Sequence, residues 1–249
     1  MKAAQSPATI SALVNRPAIG NLPSQKWLNL LRDGLIRAAL PGCTQGLQAI
    51  TKARGTYLIV DDVQTGFGGT GKFWGHENWN LSAHVDIVIF SKKAQTEGCF
   101  FSDNSLRPDK AYRQFSTWMG DAARVIMCNA VIDEILSEKI VEKTARVGEL
   151  LHERLTALAT RYIEFIQNIR GKAKGTYLAF DTPTPVRTLL KEMRNLGFNI
   201  GSCGVSTIRL RPMLRFREEH ISPLIEAFEK AFTNLGKVTS LYEHTHIAF

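Results

Sequence analysis

Two stretches decide how this chain is read: Tyr57-Leu-Ile-Val-Asp61-Asp-Val-Gln64-Thr-Gly66 and Asp86-Ile-Val-Ile-Phe-Ser-Lys92-Lys93, with Lys92 thirty-one positions after Asp61. Both are apolar, β-branched runs that end in polar residues, the pattern of buried strands that deliver side chains to the rim of a sheet. In an α/β protein the carboxyl rim is where ligands bind. A carboxylate on one strand end and an amine on another suit pyridoxal phosphate (PLP). The amine can hold the cofactor aldehyde as a Schiff base, while the carboxylate keeps the pyridine nitrogen protonated so that the ring accepts electrons. Taken singly, a lysine after a strand is more often a solvated surface residue, and an aspartate there more often a turn or cap residue.

Upstream of the first strand, Gly46-Leu-Gln-Ala-Ile-Thr-Lys-Ala-Arg-Gly55 reads as a short amphipathic helix closed by glycine. With the strand at 57–63 it makes an αβ unit of a mainly parallel sheet. Gly66-Phe-Gly-Gly-Thr-Gly71-Lys72 fits two nucleotide-binding patterns, Gly-x-x-x-x-Gly-Lys and Gly-x-Gly-x-x-Gly. Phe73 replaces the Ser or Thr that would hold magnesium, and no helix pattern follows to receive a phosphate. The stretch is therefore expected to be a flexible active-site loop. His76-Glu77 begins a zinc-protease pattern, but position 80 is Asn, so the second ligand is missing and no metal site is expected.

Strands are expected at 85–90 and 96–101, then a polar and aromatic loop from Tyr112 to Asp121. Helices follow at 122–137 and 139–162. The second carries Ile140, Ala145, Leu150, Leu151, Leu155 and Leu158 along one side, with Glu142 and Arg146 spaced to pair along its surface. Beyond them the pattern reads strand 165–170, strand 176–180, helix 186–196, strand 198–201, strand 206–211 and helix 221–235, with Asp181-Thr-Pro-Thr-Pro185 supplying a turn and helix start. The expected organisation is a divergent leader at 1–44, a partial cofactor-binding domain with linking helices at 45–160, a small α/β domain at 161–236 and a tail at 237–249.

The chain has 249 residues, 44% of them apolar, enough for a proper core. Lys and Arg outnumber Asp and Glu by 31 to 23. The basic residues are scattered and form no RNA-recognition, zinc-finger or helix-turn-helix pattern, so nucleic acid is not an expected partner. The excess suits anionic substrates and a phosphorylated cofactor. Cys43, Cys99, Cys128 and Cys203 stand far apart, as free thiols of a reducing compartment do. Uninterrupted apolar runs are too short to span a bilayer, so no membrane partner is expected. Residues 1–32 contain Lys2, Arg16, Lys26 and Arg32 and no acid, the composition of a mitochondrial transit peptide or of a disordered extension. Trp27 to Leu40 has helical spacing, stopped by Pro41-Gly42.

The ordered set Leu58-Ile-Val-Asp-Asp-Val-Gln-Thr-Gly66, Thr70-Gly-Lys-Phe-Trp-Gly-His-Glu77 and Phe90-Ser-Lys-Lys93 resembles the class III PLP-dependent aminotransferases, and within that class the eukaryotic enzymes that act on 4-aminobutyrate. Gly201-Ser-Cys-Gly204 and Ile208-Arg209-Leu-Arg211-Pro212 resemble the C-terminal domain of the same enzymes. The likeness runs over about 45–236. It implies an α/β fold, the C-terminal part of a fold-type-I PLP-dependent transferase. Lys92 corresponds to the Schiff-base lysine, Asp61 to the carboxylate on the pyridine nitrogen and Gln64 to the contact with the phenolic oxygen. Thr117 corresponds to a phosphate-binding threonine given to the neighbouring subunit, which implies a homodimer. Arg209 corresponds to the arginine that answers the substrate carboxylate.

The reaction so implied is amino transfer from 4-aminobutyrate to 2-oxoglutarate, in the mitochondrial matrix, or in the cytoplasm if the leader does not target. Another ω-amino acid transaminase of the class, acting on β-alanine or ornithine, and a non-catalytic remnant retaining packing or dimer surfaces are the alternatives. Family members are nearly twice as long, and their N-terminal half holds the phosphate loop, the aromatic that stacks on the cofactor and the glutamate partner of the residue matching Arg209. Where that glutamate would stand, this chain has Leu31-Arg-Asp33-Gly-Leu. The chain by itself is accordingly expected to bind PLP weakly and to turn over slowly or not at all.

Overall fold

The structure, a computed structural model, describes residues 9–15, 42–110 and 120–245. These fall into two compact units, one ending at Lys143 and the other beginning at Thr144.

The first unit is built on a four-stranded sheet of order β1-β2-β3-β4, with β1 at Thr9–Asn15, β2 at Thr56–Asp61, β3 at Ile87–Phe90 and β4 at Gly98–Phe101. Only the β2/β3 pair is parallel; β1/β2 and β3/β4 are antiparallel, so the sheet is mixed and not mainly parallel. A parallel neighbour needs a long crossover, which residues 62–86 supply between β2 and β3; the few residues between β3 and β4 allow only reversal. β1 lies within the stretch read as a leader and covers one edge of β2. Helix α1, Cys43–Ala53, starts after Gly42 and stops at Gly55, whose φ of 61° ends the helical path without the cost a side chain would bear. Leu58 and Val60, alternate residues of β2, are buried, and the other residues of the strand are half-buried.

The glycine-rich stretch after β2 corrects an expectation. Thr65 to Thr70 are buried, and the segment is a packed turn and not a flexible loop. Its hydrophobic residues decide this: the Phe67 ring lies 5.1 Å from Phe73, 5.5 Å from Trp74 and 5.8 Å from Phe90. The Phe90 ring in turn lies over Gly98, its register partner in β4, where a Cβ would come within 2.7 Å of it. Helix α2, Ala122–Ser137, is capped by Asp121, whose carboxylate accepts from the amides of Ala123 (2.9 Å) and Arg124 (3.3 Å). The helical spacing at 27–40 and the tail at 246–249 lie outside the described residues.

The second unit pairs an antiparallel sheet of order β5-β6-β8-β7 with three helices. Its strands are β5 (Gln167–Arg170), β6 (Leu178–Asp181), β7 (Gly201–Cys203) and β8 (Thr207–Leu210); its helices are α3 (Ile140–Arg161), α4 (Val186–Asn195) and α5 (Ile221–Thr245). One core unites Val147, Leu151, Leu155 and Leu158 of α3 with Phe180 of β6, Ile208 of β8, Leu189 and Met193 of α4, and Phe228 and Phe232 of α5. The α3 positions recur every three or four residues, as one face of a helix must. Arg146 does not pair along the helix with Glu142; it reaches Glu218, 2.7 Å away, in the turn before α5.

Candidate functional site

The carboxyl ends of β2 and β3 form one rim. In their parallel pairing Asp61 stands opposite Ile89, and the Asp62 amide donates to the Ile89 carbonyl at 2.8 Å. Asp61 is half-buried, and its carboxylate accepts from the Val63 amide at 2.9 Å, which turns the chain away from the strand. Gln64 follows on that turn with its side chain exposed. Lys92 begins a short 3-10 turn, Lys92–Ala94, with φ of 54°, a left-handed conformation uncommon for a side-chain-bearing residue. Ala94, wholly buried, anchors the turn, and Lys92 is turned outward. It lines a cleft of about 180 Å³ with Ser91, Gln95, Thr96, Glu97 and Arg124.

The neighbouring lysine is used differently. The Lys93 ammonium donates to the main-chain carbonyl of Gln64 and, at 3.4 Å, to that of Gly66. Two adjacent lysines thus have separate tasks, one tied to backbone and one facing the cleft.

A buried carboxylate to which the sequence attaches no role organises the turn. The Asp62 side chain is fully buried and accepts from the Thr65 hydroxyl, from His76 Nδ1 at 2.7 Å and from the His76 amide at 3.3 Å. An ionised carboxylate only accepts, so Nδ1 carries the proton of the His76 ring in this pair. Gly75 makes the approach possible: a Cβ there would lie 2.1 Å from Asp62 Oδ1. His76 is therefore a partner of Asp62. Beside it, partial burial pushes the Glu77 carboxyl above its ordinary range, opposed by a hydrogen bond to the Trp74 backbone and by Lys72.

Arg209 lies on β8 of the second unit. Its guanidinium donates to Cys203 Sγ at 3.4 Å, and it crosses β7 where Gly201 leaves room, since a Cβ there would lie 2.9 Å from Arg209 Nε. Asp61 and Gln64 follow the end of β2, and Lys92 follows the end of its parallel neighbour β3, so their backbones share one edge of the first unit, while the cleft that Lys92 lines is built from 91–97 and Arg124 and includes neither Asp61 nor Gln64. Arg209 belongs to the other unit, and Thr117 lies outside the described residues. A larger groove of about 460 Å³ near Tyr162, Glu226, Lys230 and Asn234 is an open furrow of mixed charge, without the convergent groups a reaction needs. Among the described residues no group of three or more His, Cys, Asp or Glu could hold a metal ion, and no helix is long and apolar enough to cross a membrane.

The fold is one found in solved aminotransferases. A lysine aminotransferase from M. tuberculosis shares the fold with a TM-score of 0.69 at 23% identity, over 88% of this chain and 56% of that one. An ornithine aminotransferase from Plasmodium yoelii does so with 0.70 at 22%, over 78% and 52%. Residues 32–232 match the model of the class III aminotransferases, and the chain belongs to that family. The match begins upstream of the first motif at which the likeness is legible by eye. Among curated relatives, the 4-aminobutyrate aminotransferase of Emericella nidulans is 48% identical over 197 residues, 79% of this chain and 39% of that protein. That of Saccharomyces cerevisiae is 45% identical over 193 residues, 77% and 41%. The mitochondrial 4-aminobutyrate aminotransferase of Sus scrofa is 41% identical over 184 residues, 73% and 36%. The chain spans about two-fifths of the length of these relatives.

Proposed function

We propose that this chain carries the C-terminal part of a PLP-dependent transaminase that moves the amino group of 4-aminobutyrate to 2-oxoglutarate. The observation that carries the reading is the parallel register in which Asp61 stands opposite Ile89, with the outward Lys92 three residues further along the same rim. A carboxylate, an amide and an amine at one rim fit the ring end of PLP. The substrate follows the names of relatives at 41–48% identity, well above the 22–23% of the lysine and ornithine enzymes.

PLP, when bound, supplies an aldehyde and an electron-accepting ring. Asp61 would hold the ring of the cofactor at its nitrogen and keep it protonated, and Gln64 would hold it at its phenolic oxygen. The Lys92 amine would be the base for the proton on the amine-bearing carbon of the substrate. Arg209 offers its planar fork of donors to the substrate carboxylate. By the family resemblance, Thr117 would serve the cofactor phosphate of a neighbouring subunit in a homodimer. The basic leader and the mitochondrial relative support a matrix location.

The test is glutamate formation from 2-oxoglutarate and each of 4-aminobutyrate, β-alanine and ornithine, with purified protein, excess PLP and Lys92→Ala as the blank. Slow turnover above the blank, led by 4-aminobutyrate, is expected. Leadership by β-alanine or ornithine would reassign the substrate. A non-catalytic chain that keeps packing surfaces has one observation in its favour, the exposure of Val125, Ile126 and Leu136 on α2; it requires that PLP never attach to Lys92.

A further inference from the structure

We propose that Lys93 is the positioning residue of the rim, the brace that sets the Lys92 turn against the turn carrying Asp61 and Gln64. The inference rests on the assignment of Lys92 and Asp61 to the cofactor site. The Lys92 turn is framed by two residues in left-handed conformations, Lys92 at φ 54° and Gln95 at φ 57°. Side-chain-bearing residues stay in that region only where their surroundings hold them. The hydrogen bonds inside the turn, from the Ala94 amide to Ser91 and from the Gln95 amide to Lys92, are local. Arg124 braces one flank, donating from α2 to the Gln95 carbonyl at 3.3 Å.

On the other flank the Lys93 ammonium reaches across to the carbonyls of Gln64 and Gly66, whose turn is itself rigidly founded. The Asp62 amide is bonded to Ile89 of β3, the Gly66 amide to the Asp62 carbonyl, and the Asp62 carboxylate to Thr65 and His76. One cation therefore joins two turns that lie 29 residues apart in the chain. A charged donor makes a stronger bond to a carbonyl than a neutral one. With the brace in place, the backbone from which Lys92 projects is held against the turn that follows Asp61. Without it, the strained turn relaxes and the amine loses its place, which costs heavily where reacting groups must be held to fractions of an ångström.

The experiment compares the 249-residue chain with Lys93→Met, which keeps the stem and removes the charge, Lys93→Arg, which keeps donors, and Lys92→Ala. PLP is titrated, fixed with borohydride, and the pyridoxyl group located by peptide mass mapping. Amide hydrogen exchange across 61–66 and 91–96 is followed without cofactor. Lys93→Met is expected to raise the PLP concentration that half-labels Lys92 about tenfold or more, the worth of a charged hydrogen bond, with Arg recovering most of the loss. It should also speed exchange in both turns and leave the second unit unchanged. Should Met prevent folding, Lys93→Gln makes the same comparison. Unchanged half-labelling and unchanged exchange in a folded Lys93→Met protein would overturn the brace. Absence of label from Lys92 in the parent would overturn the cofactor assignment instead, and the exchange comparison would still judge the brace.

Discussion

Asp61 on β2 lies directly opposite Ile89 on β3, and the two strands run parallel. That pairing makes neighbours of two strand ends separated by a packed crossover. It explains why a carboxylate and an amine thirty-one residues apart share a rim. Because parallel strands point the same way, the chain leaves both on the same side, and side chains just past their ends can converge on one ligand.

The Asp62 network gives the first unit a single point of failure. Asp62→Ala leaves the buried Thr65 hydroxyl and His76 donors without their acceptor, and it is expected to destabilise that unit by about 2–4 kcal/mol. All four tryptophans fall before Lys143, so urea unfolding followed by tryptophan fluorescence reports on this unit alone. A change below the scatter of such measurements would mean that the network is not what holds the turn.

In the second unit, Arg170 grips Asp181 with two bonds of 2.8 Å, and Thr207 and Asn168 also donate to that carboxylate. The Arg170 hydrogen bonds, against some desolvation, hold the Asp181 carboxyl down to about 2 from an ordinary 3.8. A depressed carboxylate contributes stability that is complete above its unfolded pKa and is lost as pH falls through the folded one. Asp181→Asn should therefore cost about 1–2 kcal/mol at neutral pH, after allowing for solvent screening. Measured by urea unfolding at a series of pH values, the gap to the parent should narrow as pH falls below 3.8 and vanish only below about 2. A gap that persists in acid would assign the effect to packing.

Gly148 on α3 tests a close approach. Helix propensity favours alanine over glycine by about 1 kcal/mol. Here a Cβ would lie 2.0 Å from the Gly175 carbonyl oxygen, and backbone cannot yield cheaply. The clash should win, so Gly148→Ala is expected to lower stability by about 1–3 kcal/mol, read by circular dichroism during thermal unfolding. A stabilised variant would show that the turn around Gly175 moves aside freely.

The leader contributes β1 to the sheet, and its targeting capacity is tested separately. Residues 1–32 fused to a fluorescent reporter should direct it to mitochondria, on the strength of four basic residues and no acid among them. A uniformly cytosolic signal would remove the targeting proposal.

Much of the local structure is legible in the chain itself, because local structure is set by neighbours. The helix expected at 122–137 spans Ala122–Ser137, since Asp121 caps its start whatever surrounds it. The apolar runs that became β2 and β3 and the repeat along α3 are likewise carried by spacing. The family too is written in short motifs around Asp61, Lys92 and Arg209. What only the tertiary structure decided are the contacts between residues far apart in sequence. Glycines between Gly66 and Gly75 signal conformational freedom, yet whether such a loop moves depends on rings such as Phe90 closing over it. Arg146 has a suitable partner one turn away and takes another 72 residues on. Asp62 and Lys93 read as the uninteresting neighbours of Asp61 and Lys92 until the fold delivers His76 to one and the Gln64 carbonyl to the other. Burial and hydrogen-bond partners are properties of what the chain packs against, and one-dimensional spacing carries that information only within a turn of helix or a pair of strand residues.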